Sequence, residues 1–171
     1  MRSENCSPSL FSVLALFFAG GISGITSKLL DINTSNLGNI FSQMSVWILL
    51  GTLISVRSRS KARAAANLFS FCVGMLIAYY ITAELTSSVY NMAYVYGWAA
   101  FALCAPVFAM LVWTTNQRGS MSLLISLSIP VVTLLISMIL FDGPRIYDIL
   151  IIAVEILVLF RRRSHSSQKK E

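Results

Sequence analysis

Residues 121–141 read MSLLISLSIPVVTLLISMILF, twenty-one positions without a charged side chain. An α-helix needs about 20 apolar residues to cross a hydrocarbon core about 30 Å thick. The run is continuous rather than alternating, so it does not read as a membrane β-strand. It predicts a transmembrane helix.

Five further runs of the same kind accompany it, at about 9–29, 37–56, 65–85, 92–113 and 146–160, the last being the shortest. Charge, polar clusters or Gly/Pro bound each of them. The expected fold class is all-α: an integral membrane bundle of six transmembrane helices in one membrane domain, 1–171, ending in a basic tail at 161–171. The composition agrees. Of the 171 residues 56% are apolar and 12% charged, against about 45–50% and about 25% in soluble domains. Too few charges remain to cover a soluble surface, and too many apolar side chains are present for disorder. Six spans leave little chain outside the bilayer, so any site must lie mostly within it.

The net charge is +6. In a soluble chain that would raise nucleic-acid binding, but its placement here reads as topology. Arg2, the loop holding Arg57, Arg59, Lys61 and Arg63, Arg118, and the tail with Arg161, Arg162, Arg163, Lys169 and Lys170 all fall on one side. Only Lys28 and Arg145 fall on the other. By the positive-inside rule both termini are cytoplasmic, in what is expected to be a bacterial plasma membrane. No nucleic-acid partner is expected. The basic loop and tail are expected to be solvated or to lie against anionic lipid. Span one also has features of a cleaved signal peptide, a short n-region with Arg2 and small residues near its end. Its length and Glu4 favour a retained span.

Chemistry-bearing residues are few. The single histidine, His165, lies in the tail, which removes most metal sites and histidine acid/base chemistry. Cys72 and Cys104 read as small buried apolar residues, and with Cys6 they form neither a disulfide framework nor a zinc spacing. Gly21-Ile22-Ser23-Gly24 matches the nucleophile motif of rhomboid proteases, but no membrane histidine accompanies it to accept the serine proton. No enzyme, metal or cofactor is expected.

Intramembrane carboxylates are the strongest pointers, because a charge at mid-bilayer costs roughly 2.5–3.5 kcal/mol even on insertion scales. Glu155 lies inside span six, about 9 Å along the axis from Arg161. Glu84 lies near the outer end of span three. Asp148 shares the helix face of Glu155, and with Asp142 and Arg145 it is expected in a charged outer rim. Span five carries Ser122, Ser126, Pro130, Thr133 and Ser137 at offsets of three and four, one polar stripe that faces other helices or a cavity. Span two presents Asn39, Gln43 and Trp47 at spacing four. Tyr79, Tyr80, Tyr90, Tyr94, Tyr96 and Trp98 crowd the outer ends of spans three and four. They read as an interfacial belt or as the wall of an outward pocket. The candidate ligand-binding residues are therefore Glu84, Tyr80, Tyr94, Trp98, Trp47, Gln43 and Glu155.

In span one, Ala15-x-x-x-Ala19 and Gly20-x-x-x-Gly24 let helix backbones approach closely within lipid. These four residues are candidate helix-packing positions, within the chain or against a partner. The size, the six spans, the cytoplasmic termini and Ala15-x-x-x-Ala19 together resemble the substrate-binding S-components of energy-coupling-factor vitamin transporters. That resemblance implies a solute-binding protein whose first helix contacts a coupling protein. The chain also resembles small uncharacterised bacterial six-span membrane families. Two readings follow. One is a small-solute binding or transport protein that needs a membrane partner or a homo-oligomer. The other is a structural or regulatory membrane protein that packs against a partner complex.

Overall fold

The computed structural model describes residues 10–34, 44–88, 92–117, 119–140 and 146–168. Within them the chain forms α1 (Leu10–Asn33), α2 (Met44–Arg57), α3 (Lys61–Leu85), α4 (Met92–Trp113), α5 (Ser120–Leu140) and α6 (Ile146–Gln168). A short 3-10 turn, Thr114–Asn116, follows α4. Four helical stretches are long and apolar enough to cross a membrane: Leu10–Asn33, Lys61–Leu85, Val95–Asn116 and Ser120–Ile139. α2 has 14 described residues. The start of the expected second span, at 37–43, lies outside the described residues, as do the expected rim residues Asp142 and Arg145.

Three helices overrun the bounds expected from charge, α6 by continuing to Gln168 and α1 and α3 as follows. α1 continues past residue 29 because Lys28 and Asp31 pair on one helix face, Nζ to Oδ2 3.1 Å. α3 starts at Lys61 because the extended Ser60 caps it, its hydroxyl accepting from the Arg63 N–H at 3.3 Å.

α1 lies along α3, the closest pairing in the bundle. Glycine makes this possible. A Cβ on Gly20 would run into the Phe71 carbonyl, one on Gly24 into the Met75 carbonyl, and one on Gly74 into the Phe17 carbonyl. α3 in turn packs on α4, where Ala102, Ala105 and Ala109 meet Leu68, Phe71, Cys72 and Met75. On the other side, α2, α5 and α6 contact one another in all three pairings. Trp113 donates from Nε1 to the Ser58 carbonyl (2.9 Å), and Asn116 donates from Nδ2 to the Val56 carbonyl (3.1 Å). These bonds hold the ends of α2 and α4 together.

Burial is inverted relative to a water-soluble protein. The buried set holds nearly as many polar or charged residues as apolar ones. The exposed set is rich in large apolar side chains, among them Leu124, Leu127, Val131, Leu135 and Met138 along α5. Water would penalise such a surface, whereas hydrocarbon accepts it. The surface of the bundle is compatible with that of a membrane protein.

Candidate functional site

The polar side chains buried among α2, α5 and α6 form a seam. On α2 these are Ser45, Thr52 and Ser55, on α5 Ser122, Ser126, Thr133 and Ser137, and on α6 Asp148 and Glu155. Both carboxylates are 0% exposed. Ser45 donates to Asp148 Oδ1 at 2.7 Å. Near their other ends, Leu159 of α6 shares a buried apolar cluster with Val56 of α2. α2 and α6 therefore run parallel.

That register has a consequence for Glu155. Seven residues advance a helix by about 10.5 Å and return to nearly the same face. Ser45 to Thr52 and Asp148 to Glu155 are both steps of seven. Thr52 thus stands level with Glu155. Among the described residues, Thr52 Oγ1 and Glu155 Oε1 are the buried side-chain polar atoms without a hydrogen-bond partner. An unpaired polar group of this kind costs about 1–3 kcal/mol. Two of them at one register of the bundle mark a place where a proton, a water or a small cation would be favourable.

The third wall is Thr133. Its Oγ lies 3.0 Å from Glu155 Oε2 and 3.0 Å from the Ile129 carbonyl. A hydroxyl has one proton to donate. Thr133 therefore shares its one proton between the Glu155 carboxyl and the Ile129 carbonyl. Toward the other end of α5 the stripe continues. Ser126 donates to the Ser122 carbonyl (2.8 Å), and Ser122 donates to the Thr115 carbonyl (2.9 Å). Pro130 has no N–H, so it leaves the Ser126 carbonyl, four residues back, without its helical donor. From Asp148 through Glu155 and Thr133 to Ser122, the seam covers about 27 Å by helical rise. That is close to the hydrocarbon thickness of about 30 Å.

The aromatic candidates meet elsewhere. Trp47, Tyr80 and Trp98, together with Tyr79, Met75 and Ser27, line a cleft with about 60 Å³ open to water. Trp47 and Trp98 meet edge to face with centroids 6.4 Å apart, and Tyr79 and Tyr80 likewise at 5.2 Å. Drug-sized ligands occupy pockets of about 300–1,000 Å³, so this cleft admits a compact group only. Beside it, buried Lys28 lies 5.2 Å from the centre of the Tyr79 ring and pairs with Asp31. Glu84 is exposed in the last turn of α3 and does not line the cleft. Gln43 lies outside the described residues, and so does the side chain of Tyr94. Glu155 belongs to the seam and not to this cleft.

Asp148 corrects one expectation. It is not part of an exposed rim but is fully buried against Ser45. Arg145, three residues earlier, suggested local pairing, and nothing local reveals that Ser45 approaches from 103 residues away. Cys104 corrects another: it is exposed on α4, while Cys72 is buried. Hydropathy is the same for a lipid-facing and an inward-facing cysteine. Ser45, Thr52 and Ser55 escaped the sequence reading although their spacing of seven and three puts them on one face of α2. Of the small-residue motifs, Gly20 and Gly24 face α3, whereas Ala15 and Ala19 are exposed.

No curated protein and no solved structure matches the chain. The model of a family of unknown function, DUF6518, matches residues 2–142. The match takes in α1 to α5, hence the hydroxyl walls of the seam, and ends before α6 and its two carboxylates. With most of its length matched, the chain belongs to this family of unknown function, DUF6518.

Proposed function

We propose that this chain is a six-span plasma-membrane protein with both termini in the cytoplasm, and that the α2–α5–α6 seam binds a proton or a small cation to drive movement of a small solute. It is read as a carrier or binding protein without catalytic activity. The observation that carries the reading is Glu155, 0% exposed with Oε1 unpartnered, and counting helical register from the Ser45–Asp148 bond puts the unpartnered Thr52 hydroxyl near its level. A carboxyl kept inside lipid at such cost is retained for a purpose, and proton or ion exchange is the chemistry that a carboxyl among hydroxyls performs. The aromatic cleft is too small for a vitamin-sized solute, so the solute site would open in a second conformation or accept only a compact molecule.

Infrared spectroscopy of the protein in lipid tests this. A protonated buried carboxyl gives a carbonyl band apart from the amide envelope. The wild type should show one that Glu155→Gln removes, and it should respond to the pH or sodium concentration of the bath. A Glu155 band insensitive to both would sink the reading, because a carboxyl sealed from both sides carries nothing.

A second reading, as a packing partner of another membrane protein, draws on Ala15 and Ala19, which are exposed and four apart on α1. It predicts a co-purifying membrane protein that is lost with Ala15→Leu/Ala19→Leu. A wild-type protein that purifies without any membrane partner would count against it.

A further inference from the structure

At the end of the bundle where α2 passes into α3, a second cavity of about 580 Å³ opens among α1, α2 and α3. Three of its lining residues are arginines: Arg57, Arg59 and Arg63. They come from the last turn of α2, the connecting bend and the first turn of α3, so seven residues of chain gather three positive charges at one mouth. Arg57 and Arg59 are exposed and make no ion pair among the described residues.

The site is built rather than incidental. Asn67 donates from Nδ2 to Ser58 Oγ at 3.2 Å and accepts from Ser12 Oγ at 3.3 Å. This ties the floor to α1 and to the bend. The Trp113 indole fixes the Ser58 carbonyl from the other side, and Ser60 caps α3 beneath Arg63. The arginines therefore project from a braced turn.

The walls have a different chemistry. Leu16 of α1 and Leu50, Leu53 and Ile54 of α2 line the same cavity. A cavity with a guanidinium mouth and an aliphatic wall, on a bundle with a lipid-compatible surface, matches an amphiphile. A free anion has no use for the wall, and a neutral lipid has little use for the arginines. Guanidinium groups bind phosphate oxygens in a bidentate manner, and basic pockets between membrane helices bind anionic headgroups.

We infer that this cavity holds one anionic phospholipid of the cytoplasmic leaflet, its phosphate on Arg57, Arg59 and Arg63 and an acyl chain along Leu16, Leu50 and Ile54. The inference does not depend on Glu155, since the arginine mouth and the seam involve different side chains. Bound phospholipid therefore separates the two proposals: Glu155→Gln should bind it as the wild type does.

The test is native mass spectrometry and thermal unfolding of the full chain in detergent, titrated with phosphatidylglycerol, phosphatidylcholine or inorganic phosphate. One phosphatidylglycerol per chain should be retained and should raise the unfolding temperature, while phosphatidylcholine and inorganic phosphate should do neither. Arg57→Lys/Arg59→Lys/Arg63→Lys keeps the charge, and with it the topology signal, but loses the bidentate geometry. It should bind phosphatidylglycerol at least tenfold more weakly. Arg57→Gln/Arg59→Gln/Arg63→Gln should abolish retention, and Arg162→Gln/Lys169→Gln/Lys170→Gln, with the same loss of charge in the tail, should not. Equal stabilisation by phosphatidylcholine, or by inorganic phosphate alone, overturns the proposal. So does undiminished phosphatidylglycerol binding by the glutamine loop variant.

Discussion

The two sides of the bundle are held together by opposite means. Where α1 meets α3, the centre of the contact depends on what is missing: glycines at 20, 24 and 74 let backbone touch backbone, with a few side-chain bonds beside them such as Ser70 to the Val13 carbonyl. Where α2, α5 and α6 meet, an apolar cluster of Ile48, Val56, Ile129 and Leu159 is accompanied by a seam of buried hydroxyls and two carboxylates. In lipid, apolar side chains gain little by leaving the solvent for each other, because the solvent is equally apolar. Close packing and hydrogen bonding are the two remaining ways to join helices, and the two sides of this molecule use them in different proportion. The seam leaves a carboxyl oxygen and a hydroxyl unpartnered, and on the proposed reading these are the groups that hold a proton or cation.

The strongest way to break the comparison is to fill the glycine contact. Gly20→Val places atoms where the Phe71 carbonyl stands, and Gly74→Val does the same against Phe17. The far side is backbone and cannot step aside, so the cost should lie at or above the top of the usual range of about 1–3 kcal/mol for overpacking. The protein should lose its folded, monodisperse form in detergent, as size-exclusion chromatography and thermal unfolding would show. Gly97→Ala is the control, since a Cβ there meets nothing within 4 Å. It should be neutral or stabilising by up to about 1 kcal/mol from helix propensity. Equal effects at Gly20 and Gly97 would mean that the α1–α3 contact is not what joins this side.

The seam should respond in the opposite sense. Glu155→Leu removes a buried carboxyl with one unpaired oxygen and supplies an apolar group of similar length. If Glu155 is kept for binding, the variant should be as stable as the wild type or more so, by about 1 kcal/mol, while losing the proton- or sodium-sensitive infrared band. Replacement of buried ionisable groups by apolar ones is often neutral or stabilising. A loss of stability comparable to that of Gly20→Val would make Glu155 a structural residue and erase the contrast between the two sides.

Much of this contrast was visible in the sequence, unevenly. The hydroxyl stripe of span five and Glu155 could be found because each stands out against its own helix: polar groups at offsets of three and four, and a carboxylate in an apolar run. Tyr80 and Trp98 stood out as members of an aromatic cluster at the outer ends of spans three and four, whereas Trp47 stood apart on span two, and its contact with Trp98 comes from packing. What could not be read is pairing between helices. The sequence offers two small-residue motifs in α1 and no means of choosing which one faces α3. It shows Asp148 beside Arg145 and not the distant Ser45. It shows four basic residues in a loop, which charge counting turns into topology, and not the cavity that three of them line. Periodicity tells which residues share a face. Only packing tells what that face meets.

The smallest expected effects come from two threonines, and they test the seam most finely. Thr133 is bonded to Glu155 and to Ile129, so Thr133→Val should cost about 1 kcal/mol, the usual net worth of a hydrogen bond, in thermal unfolding. Thr52→Val is nearly the same change in shape, but Thr52 Oγ1 has no protein partner to lose. If its hydroxyl serves only the fold, valine relieves a buried unpaired group and stability should hold or rise slightly. If the hydroxyl serves a proton or cation held level with Glu155, stability in plain buffer should still hold. The response of the Glu155 infrared band to pH or sodium should then shift, and a sodium-dependent rise in unfolding temperature, where the wild type shows one, should fall. An unchanged response would leave Thr52 out of the site and confine it to Glu155 and Thr133. A shifted one would place a ligand between α2 and α6, at the level that the steps of seven on the two helices bring together.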